Sequence, residues 1–234
     1  MLHSEDEQQH RGRAKARQQR AKPDEFCATG PNQGWCWDVS WLKSPVRGKF
    51  YYLYMIMDVF SRKITAWEVH DVETGEYAAE LLQRGVLSEG CPATLKFLHA
   101  DNGAIQKSST LRAKLEWLGI EASYSRPRVS NDNAMSESLF RTVKYRPDFP
   151  YDGFDSIEHA RQWCNEFTQW YNHEHKHSAI KFVTPNQRHS GEDIKILADR
   201  KELYERARES NPSRWSGKIR DWQRDEVTVF NADK

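Results

Sequence analysis

Residues 35–42 read Trp35-Cys36-Trp37-Asp38-Val39-Ser40-Trp41-Leu42, and the fold turns on this stretch. The two-residue period of a strand puts Trp35, Trp37, Val39 and Trp41 on one face and Cys36, Asp38 and Ser40 on the other. A carboxylate set among tryptophans is costly to bury unless it is paired or bound to a cation. Downstream, a turn around Pro45 to Gly48 leads into 49–59 (KFYYLYMIMDV). That nearly continuous apolar run predicts a strand covered on both faces. Phe60-Ser61-Arg62 then turns the chain into a third strand, 63–69.

Alternation gives way to helical spacing over 75–88, with Tyr77, Leu81, Leu82 and Val86 directed inward. Residues 95–99 form a short buried strand that delivers Asp101 just past its end. A helix over 108–118 stops at Gly119, and 120–124 is a further strand. The Pro-containing loop 125–130 (SRPRVS) precedes a helix over 131–145 that carries Glu137 and ends before Pro147 and Pro150. Residues 155–172 are amphipathic through Ile157, Ala160, Cys164, Phe167 and Tyr171. This order predicts an α/β domain with a mixed five-stranded sheet flanked by helices. It matches the ribonuclease-H-like fold, which implies that the first and fourth strands are neighbours and that Asp38 lies beside Asp101. Three segments follow: a basic, disordered arm over 1–30, a core over 31–185, and a helical or irregular tail over 186–234 with a helix near 191–209.

The net charge of +1 advertises no global field for nucleic acid. Charge is unevenly placed, however: residues 11–22 (RGRAKARQQRAK) hold six basic side chains and no acid. Such an arm can neutralise phosphates. Nine Trp, nine Tyr and ten Phe suffice to fill a core in a polar chain. Cys27, Cys36, Cys91 and Cys164 show neither metal spacing nor a disulfide framework, and no apolar run approaches the roughly 20 residues that cross a bilayer. A cytoplasmic protein without membrane association is expected.

Asp38, Asp101 and Glu137 are the candidate catalytic residues, the last two separated by 35 residues. Carboxylate oxygen is the ligand that Mg²⁺ prefers, and two such ions roughly 3.5–4 Å apart can serve phosphoryl transfer. Each acid has a plainer reading. Asp38 could be a strand-end acid in solvent, Asp101-Asn102-Gly103 a turn, and Glu137 a helix-surface acid paired with Arg141. Arg141 and Lys144 share the Glu137 face, so on a catalytic helix the same bases would hold DNA phosphate, as would Arg126 and Arg128 in the preceding loop.

Taken together, these stretches resemble the catalytic protein of insertion sequences of the two-frame (OrfA–OrfB) kind, with a retroviral-integrase-like core. The resemblance rests on Trp-Asp38-Val-Ser, Met-Asp58-Val-Phe-Ser-Arg-Lys and Leu-His-Ala-Asp101-Asn-Gly. It continues through Ser-Arg-Pro-Arg-Val-Ser-Asn-Asp-Asn, Ser-Glu137-Ser-Leu-Phe-Arg-Thr-Val-Lys144 and Trp-Tyr-Asn-His173 to Thr184-Pro185. It implies an acid triad at Asp38, Asp101 and Glu137 holding two Mg²⁺ ions, for which Mn²⁺ substitutes, with Lys144 as the helix base. Hydrolysis at the element's ends and 3′-OH strand transfer into target DNA would follow, in a homo-multimer that pairs two ends. The family carries helix-turn-helix segments ahead of the core, and the roughly 30 residues ahead of it here show no helical period. End recognition is therefore expected from an upstream-frame (OrfA) protein, and the alternative is a truncated, non-catalytic remnant that binds DNA or full-length transposase. A nuclease that only hydrolyses is a third reading, which the late-helix Glu137 disfavours.

Four further features are read conservatively. His173, His175 and His177 do not share a helix face, so they are not read as a zinc site. His99 and Asn102 are read as turn supports, Asp58 as part of the Asp-Val-Phe-Ser-Arg turn, and Asp132 as a helix cap.

Overall fold

A computed structural model describes residues 26–125 and 133–230. Its centre is a sheet of five strands in the order β4-β3-β2-β5-β6. The strands are β2 (Gly34–Lys43), β3 (Phe50–Asp58), β4 (Ile64–His70), β5 (Phe97–Ala100) and β6 (Glu121–Tyr124). β2, β3 and β4 form an antiparallel meander, and β5 and β6 add in parallel on the other side of β2. The mixed five-stranded sheet is thus the one expected, and its fold is ribonuclease-H-like.

Alternation along β2 sorts its side chains between two cores. Trp35 and Trp37 face α1 (Gly75–Ser88) and α2 (Ser109–Leu118), packing with Tyr54, Leu82, Leu98 and Leu115. Cys36 and Leu42 face α3 (Ala134–Lys144) and α4 (Ile157–His173), packing with Met55, Leu139, Val143 and Phe167. Trp41 continues the first face to the open end of the strand and is exposed. β3 feeds both cores, Leu53, Met55 and Met57 to one and Tyr54 and Ile56 to the other, as its unbroken apolar run demanded.

Helix starts are marked by caps. Thr74, Ser108 and Ser156 accept from the backbones of Tyr77, Leu111 and His159. Gly119 ends α2 in the left-handed conformation, φ 70°, as a glycine stop should.

Two expectations need correction. The arm drawn over 1–30 gives up Phe26–Ala28 to a strand, β1, which pairs antiparallel with β7 (Thr228–Phe230). The tail holds two helices rather than one, α5 (Pro185–Ser190) and α6 (Asp193–Ser210), separated at Gly191 with φ 83°. Thr184 and Gln187 form a reciprocal capping box that starts α5.

The tail is pinned to the core by buried charge. Arg188 donates to Asp193 and to the carbonyls of Phe60 and Asp225, and its guanidinium lies over the Phe60 ring. Behind it, Ile180, Val183, Leu197 and Trp222 form a small separate cluster. Among the described residues no helix is long and apolar enough to cross a membrane.

Candidate active site

β2 and β5 run parallel with Trp35 level with Leu98 and Cys36 level with His99. Continuing that register by two residues sets Asp38 beside Asp101, on the face of the sheet that α3 covers. α3 presents Leu139, Phe140 and Val143 to the core and leaves Glu137, Arg141 and Lys144 exposed. The sheet thereby supplies two acids from neighbouring strands and the helix a third.

The electrostatics show that the three acids share one field. Burial, and then the charges of Asp101, Glu137 and Glu73, push the Asp38 carboxyl up to about 7. One backbone hydrogen bond, from Val39 N at 2.8 Å, opposes this. Glu137 is shifted upward by burial and by Asp101. Burial comes first in both shifts, and the neighbouring carboxylates add to it. Among the described residues, however, no group of three His, Cys, Asp or Glu side chains is gathered tightly enough to hold a metal ion.

Asp101 is better supported than its turn sequence implied. Ser125 Oγ donates to Asp101 Oδ1 at 2.8 Å, and Asn102 Nδ2 donates to the Ser125 carbonyl. His99, fully buried, holds Ser123 Oγ with Nδ1 at 2.8 Å and Ser125 Oγ with Nε2 at 3.2 Å. Sequence reasoning missed Ser125 and Glu73. Ser125 meets Asp101 only because β5 and β6 pair, and Glu73 in the turn before α1 looks like any acid at a helix start.

The remaining candidates fall as follows. Lys144 lies on the solvent face of α3, and the Arg141 guanidinium sits over Tyr145. Arg126, Arg128 and Asp132, like the basic stretch 11–22, lie outside the described residues. Asp58 is fully buried and accepts from Asn32 N, Ser61 N and Ser61 Oγ, so it belongs to its turn. His175 and His177 pack around Tyr171, while His173 is exposed. Burial, followed by the Arg62 charge, pushes His177 down to about 4.

Strand order and register define a ribonuclease-H-like protein of the integrase-core class. Two family models, both described as integrase core domain, match residues 28–130 and 118–185. Together the two matches span residues 28–185, and the chain belongs to the integrase core family. It is 30% identical over 165 residues to the transposase for insertion sequence element IS904 of Lactococcus lactis, an alignment covering 68% of this chain and 62% of that one. It is 29% identical over 120 residues to transposase InsF for insertion sequence IS3A of Escherichia coli, covering 51% and 41%. The chain thus spans less than two thirds of the length of either relative. A chain of the simian T-cell lymphotropic virus intasome in complex with PP2A regulatory subunit B56 gamma shares the fold. Its TM-score is 0.56 at 19% identity, over 73% of this chain and 59% of that one.

Proposed function

We propose that the chain is a DNA transposase core that cleaves phosphodiester bonds at the ends of an insertion element and joins the freed 3′-OH to target DNA. The observation that carries this reading is the common field of Asp38, Asp101 and Glu137, contributed by two adjacent strands and one helix. Their donor chemistry, carboxylate oxygen alone, fits Mg²⁺ or Mn²⁺. When bound, a pair of such ions supplies the Lewis acidity that activates the attacking oxygen and stabilises the leaving one.

The chain's own residues have separate tasks. Asp38, Asp101 and Glu137 would hold the ions. Lys144 and Arg141, on the same helix face as Glu137, would hold DNA phosphate, with Arg126 and Arg128 in the loop before it. In the first step water oxygen bonds to phosphorus and the 3′-oxygen leaves with a proton. In the second that 3′-OH attacks a target phosphate and displaces the target's own 3′-oxygen. Neither step needs a covalent enzyme intermediate. The partners are the element's ends and target DNA, in a homo-multimer because two ends must be paired. An upstream-frame protein, fused or separate, would read the end sequence.

The test is metal-dependent cleavage and joining of a labelled duplex carrying the element's own ends, wild type beside Asp101→Asn. Products formed by the wild type with Mg²⁺ or Mn²⁺ and absent with the mutant are expected. Equal products from both would remove the acids from the mechanism. DNA binding without turnover, with or without the upstream frame fused on, would establish a non-catalytic remnant.

A further inference from the structure

Asp101 is the only one of the three acids to which the described residues give a side-chain hydrogen bond. We infer that Ser125 and His99 are positioning residues that hold the Asp101 carboxylate toward the metal site, and that the C-terminal strand braces them. The inference rests on the proposed role of Asp101 as a metal ligand.

The directions of the bonds follow from valence. The Asp101 carboxylate only accepts, so the Ser125 hydroxyl must donate to it at 2.8 Å. That hydroxyl has one proton, so at its other side it accepts, and His99 Nε2 must carry the hydrogen across 3.2 Å. His99 Nδ1 lies 2.8 Å from Ser123 Oγ, which can donate to it or accept from it. The four groups form one hydrogen-bonded chain, from Ser123 through His99 and Ser125 to Asp101. The Ser125 bond fixes one Asp101 oxygen and leaves the other directed away from the serine, as the partners behind a ligating carboxylate do.

The chain is held in place by packing. Ser123, Ser125 and His99 are buried, and the Phe230 ring of β7 lies against the His99 imidazole with centroids 4.6 Å apart. Phe230 also neighbours Phe97, which stacks on Phe26 of β1 at 4.1 Å. The two ends of the described chain therefore close over the buried side of the residue that orients Asp101. Main-chain bonds fix the other side, since Ser125 N donates to Ala100 O at 3.0 Å and Asn102 to the Ser125 carbonyl.

The experiment uses the full chain and the metal alone, read by thermal unfolding against Mg²⁺ and Mn²⁺ concentration. Mn²⁺-dependent nicking of supercoiled plasmid DNA is the second readout. Ser125→Ala should leave the metal-free unfolding temperature nearly unchanged and raise the half-saturating metal concentration about 10–100-fold, the usual effect of losing a hydrogen bond to a ligand. Ser125→Thr, which keeps the hydroxyl, should return it to near the wild-type value. His99→Phe keeps a ring against Phe230 but breaks the chain, and should weaken metal response in the same direction. Asp101→Asn is the control and should lose both readouts. Wild-type metal dependence in Ser125→Ala, beside a dead Asp101→Asn, would overturn the inference and leave the proposed function standing. Full metal response in Asp101→Asn would overturn the function itself, and this inference with it.

Discussion

At the scale of single residues, the acids differ in what surrounds them. Asp38 is the most strained electrostatically, lifted to about 7 by burial and by the fields of Asp101, Glu137 and Glu73. Glu137 stands at the exposed face of its helix, so replacing it should disturb little besides chemistry. Glu137→Gln is accordingly expected to keep its unfolding temperature within about 2 °C, a stability change of no more than ~0.5 kcal/mol. It should lose about 10³-fold or more in strand cleavage, which corresponds to about 4 kcal/mol of transition-state stabilisation. A parallel measurement of unfolding and of nicking rate checks this, and a stable variant that nicks at the wild-type rate would exclude Glu137. The three acids could be proposed from sequence because each sits in a local context, an aromatic strand, an Asp-Asn-Gly turn and a helix preceded by Asn and Asp residues; Asn133 starts that helix without a side-chain cap bond. Ser125 could not be, because its partner is 24 residues away and reached only through strand pairing.

At the scale of elements, long periodic segments were readable and short ones were not. The alternation at 35–42 and the helical spacing at 75–88 gave β2 and α1 nearly residue for residue. β1 and β7 are three residues each, too short for a period, and each owes its existence to the other and to Phe97. α5 was hidden because its six residues have no apolar stripe, although Thr184 and Gln187 announce its start. Thr184→Ala should therefore cost about 1 kcal/mol in urea unfolding, as loss of an N-cap does, and a neutral result would mean the cap is redundant there. Gly34 tests the other end of the sheet. A Cβ there would fall inside the Phe97 ring, which is buried against Phe26. Gly34→Ala must displace that ring and is expected to lower stability by about 1–3 kcal/mol, the range for overpacking a dense core. Unfolding midpoints of the two variants should be additive in the double mutant, because they act on separate clusters.

At the scale of the whole molecule, a second polar junction, beside the Arg188 contacts, joins the tail to the core, and its charges respond to pH. His189 of α5 bonds Ser61 Oγ through Nδ1 at 2.9 Å and Glu89 through Nε2 at 2.9 Å, with the buried Asp58 carboxylate 3.8 Å away. Lys63 and Asn32 complete the junction by donating to Glu89. Ser61, His189 and Glu89 have the connectivity of a nucleophilic triad, but Ser61 is fully buried and donates to Asp58, so no substrate can reach it. The group is a fastener. Burial disfavours the charge on His189, yet the carboxylates of Asp58 and Glu89 outweigh it and raise the histidine above its ordinary 6.5. Its contribution is then complete below pH 6.5 and is lost as pH climbs through the raised folded value. Burial pushes Glu89 the other way, and hydrogen bonds from His189 and Lys63 with the Lys63 charge hold it at about 2, so its contribution is complete above 4.5 and lost as pH falls toward 2. The two windows overlap between 4.5 and 6.5, where this junction is strongest. His189→Gln should cost about 2 kcal/mol at pH 6, the scale of a charge-assisted hydrogen bond, and less at pH 9, because the imidazole loses its proton as pH rises through its raised folded value. Equal losses at both pH values in urea unfolding would show that the imidazole acts by packing alone. The expected convergence of the two curves would show that the tail is clamped to the core by charge, so that alkaline solution loosens α5 while the sheet bearing Asp38 and Asp101 stays folded.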